Sequence, residues 1–210
     1  MKRLAAVTLS IGLTLPALAF SSSIQACEPA PQADCRGADL HNRDLRGMDL
    51  RGIKLSGANL QNANLTHANL NDADLSGADL SGATLVRASL ESASLRGATA
   101  DGANLTAISG WAMFAQGGSF RNARLDGADL EFSRFSGANL MGASLYAANL
   151  EMTWLPKARL DGSDLREANL QEAKLYNASL MDADMRGAWI RFGIFQNTVM
   201  NGCKGCPFDW

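Results

Sequence analysis

The chain has 210 residues, of which 47% are hydrophobic, 7% aromatic and 19% charged. That is enough apolar material for one sizeable core, and the leucine, alanine and glycine content argues against disorder. Nineteen basic residues against twenty-one acidic ones give a formal charge of −2, which leaves no polycation to bind nucleic acid and no polyanion to imitate it.

Residues 1–26 read as a secretory signal peptide. Lys2 and Arg3 form a positive start, Leu4 to Leu15 is a mostly apolar stretch, and Pro16 breaks it. Ala17-Leu18-Ala19 and Ile24-Gln25-Ala26 both end in the small residue a signal peptidase requires, and the apolar stretch is too short to be a membrane anchor. The expected location is the periplasm or the exterior. An alternative reading of Ile24-Gln25-Ala26-Cys27 is a lipoprotein signal with an acylated Cys27, although Gln25 departs from the small residue expected there. No later apolar run is long enough to span a bilayer.

From Leu40 to Met200 a central residue recurs every five positions, and 24 of these 33 centres are Leu. Two residues before the centre stands a small residue, Ala in 22 of the 33. Between them lies usually Asp, Asn, Ser or Thr, as in Ala58-Asn59-Leu60 and Ala138-Asn139-Leu140, and Gly is common two residues after the centre, as at Gly57 and Gly162. Five residues advance an α-helix by about 500°, so the leucines would wrap all round it. In a straight strand an odd period sends alternate leucines to opposite faces. The chain must therefore turn once per repeat. A short extended piece points the small residue and the Leu inward and the middle residue outward, and the next two residues make the corner. Turns in one sense wind a coil that stacks on itself, with parallel backbone pairing about 4.8 Å apart.

This Ala-(Asp/Asn)-Leu-X-X unit resembles the repeat of the pentapeptide repeat family, in unbroken register over nearly all of residues 38–202. The resemblance implies an all-β fold, a right-handed quadrilateral parallel β-helix with four repeats per coil. It implies about eight coils and a rod of roughly 40 Å. The expected layout is a signal peptide at 1–26, an N-terminal cap at 27–37, the β-helix at 38–202 and a C-terminal cap at 203–210. With four repeats per coil, positions twenty apart stack. Ala100 then sits between Leu80 and Phe120, and Ile108 and Met113 fill the space left at Gly110 and Ala115. The phase never slips, so one repacked coil is expected there, with a protruding loop near Ser109 to Gly118 as the alternative.

A solenoid exposes core and unpaired backbone at both ends and needs caps. Cys27 and Cys35 precede the first coil, while Cys203 and Cys206 follow the last. The rod geometry holds the two pairs too far apart to join, so Cys27–Cys35 and Cys203–Cys206 are the expected disulfides. The same separation excludes a four-cysteine zinc site. Phe208 and Trp210 are expected to cover the C-terminal end of the core. The Cys203-Lys204-Gly205-Cys206 spacing also admits a thiol–disulfide role, but no βαβ pattern flanks it.

No catalytic constellation emerges. His41 and His67 have no nucleophile in a recognisable triad, and the glycines follow the five-residue period instead of forming a phosphate loop. No enzyme, metal or other cofactor is expected. Stacking by twenty instead singles out one outward column, which reads Phe114, Arg134, Trp154, Lys174, Ile194. The adjoining corner carries Phe132, Met152 and Phe192, and Trp111 stands beside it. Trp111, Phe114, Phe132, Arg134, Met152, Trp154, Phe192 and Ile194 thus define a candidate interaction face, for an unidentified protein partner or for self-association. The bland alternative is that these residues cover one another. Some members of the resembled family imitate B-form DNA and act on DNA gyrase. That alternative needs a strongly acidic rod, whereas here Arg121, Arg124, Arg134, Arg159, Arg166, Arg186 and Arg191 interrupt the acids.

Overall fold

The computed structural model of the protein describes residues 27–207. The signal-peptide reading of residues 1–26 and the capping role expected of Phe208 and Trp210 lie outside the described residues.

One pentad explains all of them. Leu55 is buried, Ser56 and Gly57 turn, Ala58 is buried, Asn59 faces outward and Leu60 is buried again. The Ala58 N–H donates to the Leu55 carbonyl at 2.9 Å and closes a four-residue turn whose third residue, Gly57, has φ of 67°. A turn of this kind favours Gly or Asn at its third position. The left-handed backbone recurs at every fifth residue from Gln32 to Gly202, so the glycine preference is a property of the corner.

Coils are joined by backbone hydrogen bonds across twenty residues. The Leu55 N–H donates to the Asp74 carbonyl at 2.7 Å, and the Asp74 N–H donates to the Ile53 carbonyl at 2.9 Å. Parallel bridges of this spacing run without a break from Asp34–Lys54 to Asp184–Lys204. Four pentads therefore make one coil, and the helix has four sides. The first side carries the outward column from Asp34 and Lys54 to Ile194. The second runs from Asp39 to Val199, the third from Asp44 to Lys204 and the fourth from Asp49 to Trp189.

The core is one continuous cluster of the leucines and alanines of the repeat. Residues 109–118 keep the turn and bridge pattern of their neighbours. Their small centres are offset by large neighbours. Ile108 and Met113 are fully buried, and the Ile108 Cδ1 lies 3.6 Å from where a Cβ on Gly110 would stand. Phe120 and Phe135 pack with ring centroids 5.5 Å apart. Gly118 makes room for the former, because a Cβ there would lie 2.8 Å from the Phe120 ring. Volume missing at one centre is thus recovered within the same or the next coil, as a close-packed interior requires.

Disulfides join Cys27 to Cys35 and Cys203 to Cys206, with Cα atoms 5.3 and 5.8 Å apart. The Cys27 sulfur is thereby engaged by Cys35. The first coil carries the ion pairs Asp34–Arg36, Asp44–Arg46 and Asp49–Arg51 on three sides and the Asp39–His41 hydrogen bond on the fourth, at 2.6 to 2.7 Å. Charges on an open sheet edge discourage edge-to-edge pairing, and here they ring the exposed N-terminal coil. Among the described residues no helix is long and apolar enough to cross a membrane.

Candidate interaction face

The outward residue of many pentads has a local task. The Asp79 Oδ1 accepts the backbone N–H of Ser81 at 2.9 Å, and Asn149 does the same for Glu151 at 3.2 Å. The corner N–H at this position would otherwise depend on water, so a short side-chain acceptor two residues earlier is favoured. The first side abandons this arrangement. Phe114, Arg134, Trp154, Lys174 and Ile194 stack in succession there, and none has a side-chain oxygen. The fourth side, in the same coils, keeps Asp129, Asn149 and Asn169.

The corner between the fourth and first sides departs a second time. Its left-handed position holds Gly52, Asp72 and Ser92, then Phe132, Met152, Glu172 and Phe192, with φ of 59°, 53°, 56° and 60° for the last four. Left-handed backbone costs a side-chain-bearing residue roughly 1–2 kcal/mol. Phe132 and Met152 therefore carry bulky side chains on a left-handed backbone that glycine adopts without cost.

Phe132, Arg134, Met152 and Trp154 line one open groove of about 580 Å³, together with Gln116 and Ser136. Trp154 is 46% exposed. Trp111 extends the apolar surface at one end through an edge-to-face contact with Phe132, with centroids 5.9 Å apart. Tyr176 extends it at the other, 6.1 Å from Trp154. Phe114 lies beneath two guanidinium groups, with Arg96 at 4.6 Å and Arg134 at 5.5 Å from its centroid. Phe192 and Ile194 stand apart from the groove. Glu172 and Lys174 occupy the coil between, and Arg191 covers the Phe192 ring at 4.7 Å. The single continuous face expected from the column is therefore a groove plus a separate apolar spot near the C-terminal end.

Charge is divided across this surface. Several arginines elsewhere are neutralised by an aspartate two residues away, as in Arg166–Asp164 and Arg186–Asp184, both at 2.6 Å. Among the described residues Arg96, Arg134, Lys157 and Lys174 form no ion pair. On the opposite margin stand Glu131, Glu151 and Glu172. Burial, with repulsion from Glu151 and Asp129, holds the Glu131 carboxyl above its ordinary range.

Reading the columns missed Gln116, Ser136, Tyr176 and Arg96. All four lie on the corner between the first and second sides, and their spacing by twenties was the available signal. Trp189, Tyr146, Met181 and Val199 are further exposed apolar residues, on other sides or corners. Among the described residues no group of three or more His, Cys, Asp or Glu is placed to hold a metal ion.

The family of pentapeptide repeats matches residues 33–72, 73–107, 123–162 and 155–187, in eight copies. Among solved structures, HetL from the cyanobacterium Nostoc sp. strain PCC 7120 is a pentapeptide repeat protein involved in heterocyst differentiation regulation. It is 33% identical over 80% of this chain and 80% of its own, with a TM-score of 0.37. QnrB1, a plasmid-mediated fluoroquinolone resistance protein, is 20% identical over 84% of this chain and 85% of its own, at 0.42. Rfr23, a pentapeptide repeat protein of the cyanobacterium Cyanothece 51142, is 21% identical over 46% of this chain and 63% of its own, at 0.35. No curated protein matches the sequence.

Proposed function

The chain belongs to the pentapeptide repeat family, and from that premise we propose that it is an exported, non-catalytic binding module. Its rod of about eight right-handed coils would present the groove lined by Phe132, Arg134, Met152 and Trp154 to a protein partner in the periplasm or outside the cell. One observation carries this reading. The groove's large exposed apolar side chains stand in columns that hold Gly52, Asp72 and Ser92, and Lys54, Asp74 and Ser94, in earlier coils, so the repeat itself does not account for them. Large aromatic and Arg side chains around a concave surface are the usual anchors of a protein contact. Imitation of DNA fits less well, because carboxylates such as Asp44, Asp164 and Asp184 are neutralised in place by Arg46, Arg166 and Arg186.

The test is capture from the envelope of the producing cells by the parent and by Trp154→Asp. The variant is expected to lose capture and to melt at the parent's temperature, since Trp154 lies outside the core. Equal capture by both proteins would overturn the reading.

A further inference from the structure

The groove is bordered by stripes of opposite charge that run along the rod. Glu131, Glu151 and Glu172 follow the corner between the fourth and first sides. Arg134, Lys157 and Lys174 lie on the first side and its far corner. Phe132 and Met152 share the corner column of Glu172, and Trp154 stacks between Arg134 and Lys174 on the first side. Because one coil is twenty residues, each acid has a cation in its own coil: Glu131 with Arg134, Glu151 with Lys157, Glu172 with Lys174. Yet no ion pair forms between them, while the aspartate–arginine pairs on other sides close at 2.6 Å. Each acid and its cation are at the same height on opposite margins.

We infer that the partner of this groove is a second copy of the chain, packed side by side with its rod pointing the same way. This rests on the reading of the groove as a docking face. A two-fold axis parallel to the rods exchanges left and right but leaves height unchanged. It brings Glu131, Glu151 and Glu172 of each copy to Arg134, Lys157 and Lys174 of the other and covers Phe132, Met152 and Trp154 between the rods. The contact is the same from both sides, as a closed dimer requires. A two-fold axis perpendicular to the rods would set acid on acid and base on base, so charge selects the parallel arrangement. The paired copy also supplies what the single chain lacks: a carboxylate for the Arg134 guanidinium over Phe114 and cations for the crowded margin at Glu131.

The test is sedimentation equilibrium of the disulfide-bonded chain and of two charge-reversed variants. Glu131→Lys/Glu151→Lys makes both margins basic, and Arg134→Glu/Lys157→Glu makes both acidic. The parent is expected at twice the monomer mass, with dissociation favoured by added salt. Each variant alone is expected as a monomer, with at least a tenfold weaker association, and an equimolar mixture of the two is expected to recover the dimer. Circular dichroism and melting of each variant separate loss of pairing from loss of fold. A monomeric parent, or a mixture that stays monomeric while both variants are folded, overturns the self-pairing. If a monomeric parent still captures another protein through Trp154, only the self-pairing falls. If Trp154→Asp captures equally well, the docking reading falls with it.

Discussion

Trp154 stands where the repeat places a side-chain acceptor for the backbone N–H two residues on, and residue 156 is Pro, which has no N–H to offer. The two departures answer each other. An indole at 154 would leave a corner donor to water, and Pro156 removes that donor. The Pro156 carbonyl still accepts the Gly137 N–H at 2.8 Å, so the coil is continuous on its other edge. The double substitution Trp154→Asp/Pro156→Ser rebuilds the arrangement seen at Asp79 and Ser81. The regained hydrogen bond, about 0.5–1.5 kcal/mol, offsets the freedom the unfolded chain gains without Pro156, so the double variant is expected to stay within about 1 kcal/mol of the parent while losing association. Chemical denaturation beside sedimentation reads both, and a double variant no more stable than Trp154→Ala/Pro156→Ser would disprove the acceptor argument.

Met152 offers a cleaner view of strain, because no aromatic contact offsets its left-handed backbone, with φ at 53°. Met152→Gly is expected to leave global stability unchanged or up to about 1 kcal/mol higher, because it relieves that strain while freeing the unfolded chain. Association should weaken in the same variant. A clear drop in the denaturation midpoint would mean that Met152 holds the coil together.

Gly118 and Phe120 form a volume pair in the repacked coil. Gly118→Ala would place a methyl 2.8 Å from the Phe120 ring and 3.3 Å from the Ala115 carbonyl oxygen. It should destabilise by about 1–3 kcal/mol, the usual range for overpacking. Gly118→Ala/Phe120→Leu restores the ordinary Ala-X-Leu pattern and should recover most of that loss. A harmless single variant would show that this coil is looser than its packing implies.

Acid should destabilise the rod through its paired aspartates. The hydrogen bond from Arg186, followed by the opposing effect of burial, leaves Asp184 pulled down to about 2. Arg46, Arg51 and Arg166 likewise hold Asp44, Asp49 and Asp164 below their ordinary range through side-chain hydrogen bonds. A carboxylate depressed by folding contributes stability above its unfolded pKa of about 3.9. That contribution is lost as pH falls through the folded value. Urea midpoints are therefore expected to stay level from neutral pH to about 5 and to decline from about 4 towards 2. In Asp184→Asn/Asp164→Asn the decline should be shallower. Glu131 runs the other way, since its raised pKa means that ionisation opposes folding, and Glu131→Gln should gain stability above about pH 5.

The two disulfides close short loops at opposite ends of a solenoid whose coils touch only their neighbours. Reduction of either should cost about 2 kcal/mol locally by the loop-entropy estimate and should fray the adjoining coil. Hydrogen exchange is expected to rise in the first or last coil while amides between Leu80 and Leu145 stay protected. Uniform loss of protection would mean that the rod unfolds as one unit.

Much of this was legible before any coordinates. The period of five, with Ala at one position and Leu two later, leaves the backbone no regular element and demands a corner in every repeat. Large residues at Ile108, Met113 and Phe120 around the small centres Ala100, Gly110 and Ala115 announced a repacked coil. Trp154, Met152 and Phe132 stood out because the first coils fill the same columns with Lys54, Asp74 and Ser94 and with Gly52, Asp72 and Ser92. The period alone could not say how many repeats close a coil. That number followed from the family resemblance, and the bridges twenty residues apart express it in the structure.

Backbone course and burial are local matters here, because each pentad satisfies its own turn and repeats it, so a linear pattern is sufficient to specify them. The groove is a different kind of object. Gln116, Ser136 and Tyr176 join it across a corner, two guanidinium groups converge on Phe114 from different coils, and Lys174 and Glu172 cut Phe192 and Ile194 away from it. Those outcomes depend on where long side chains come to rest over neighbouring coils, and spacing along the chain carries no record of that.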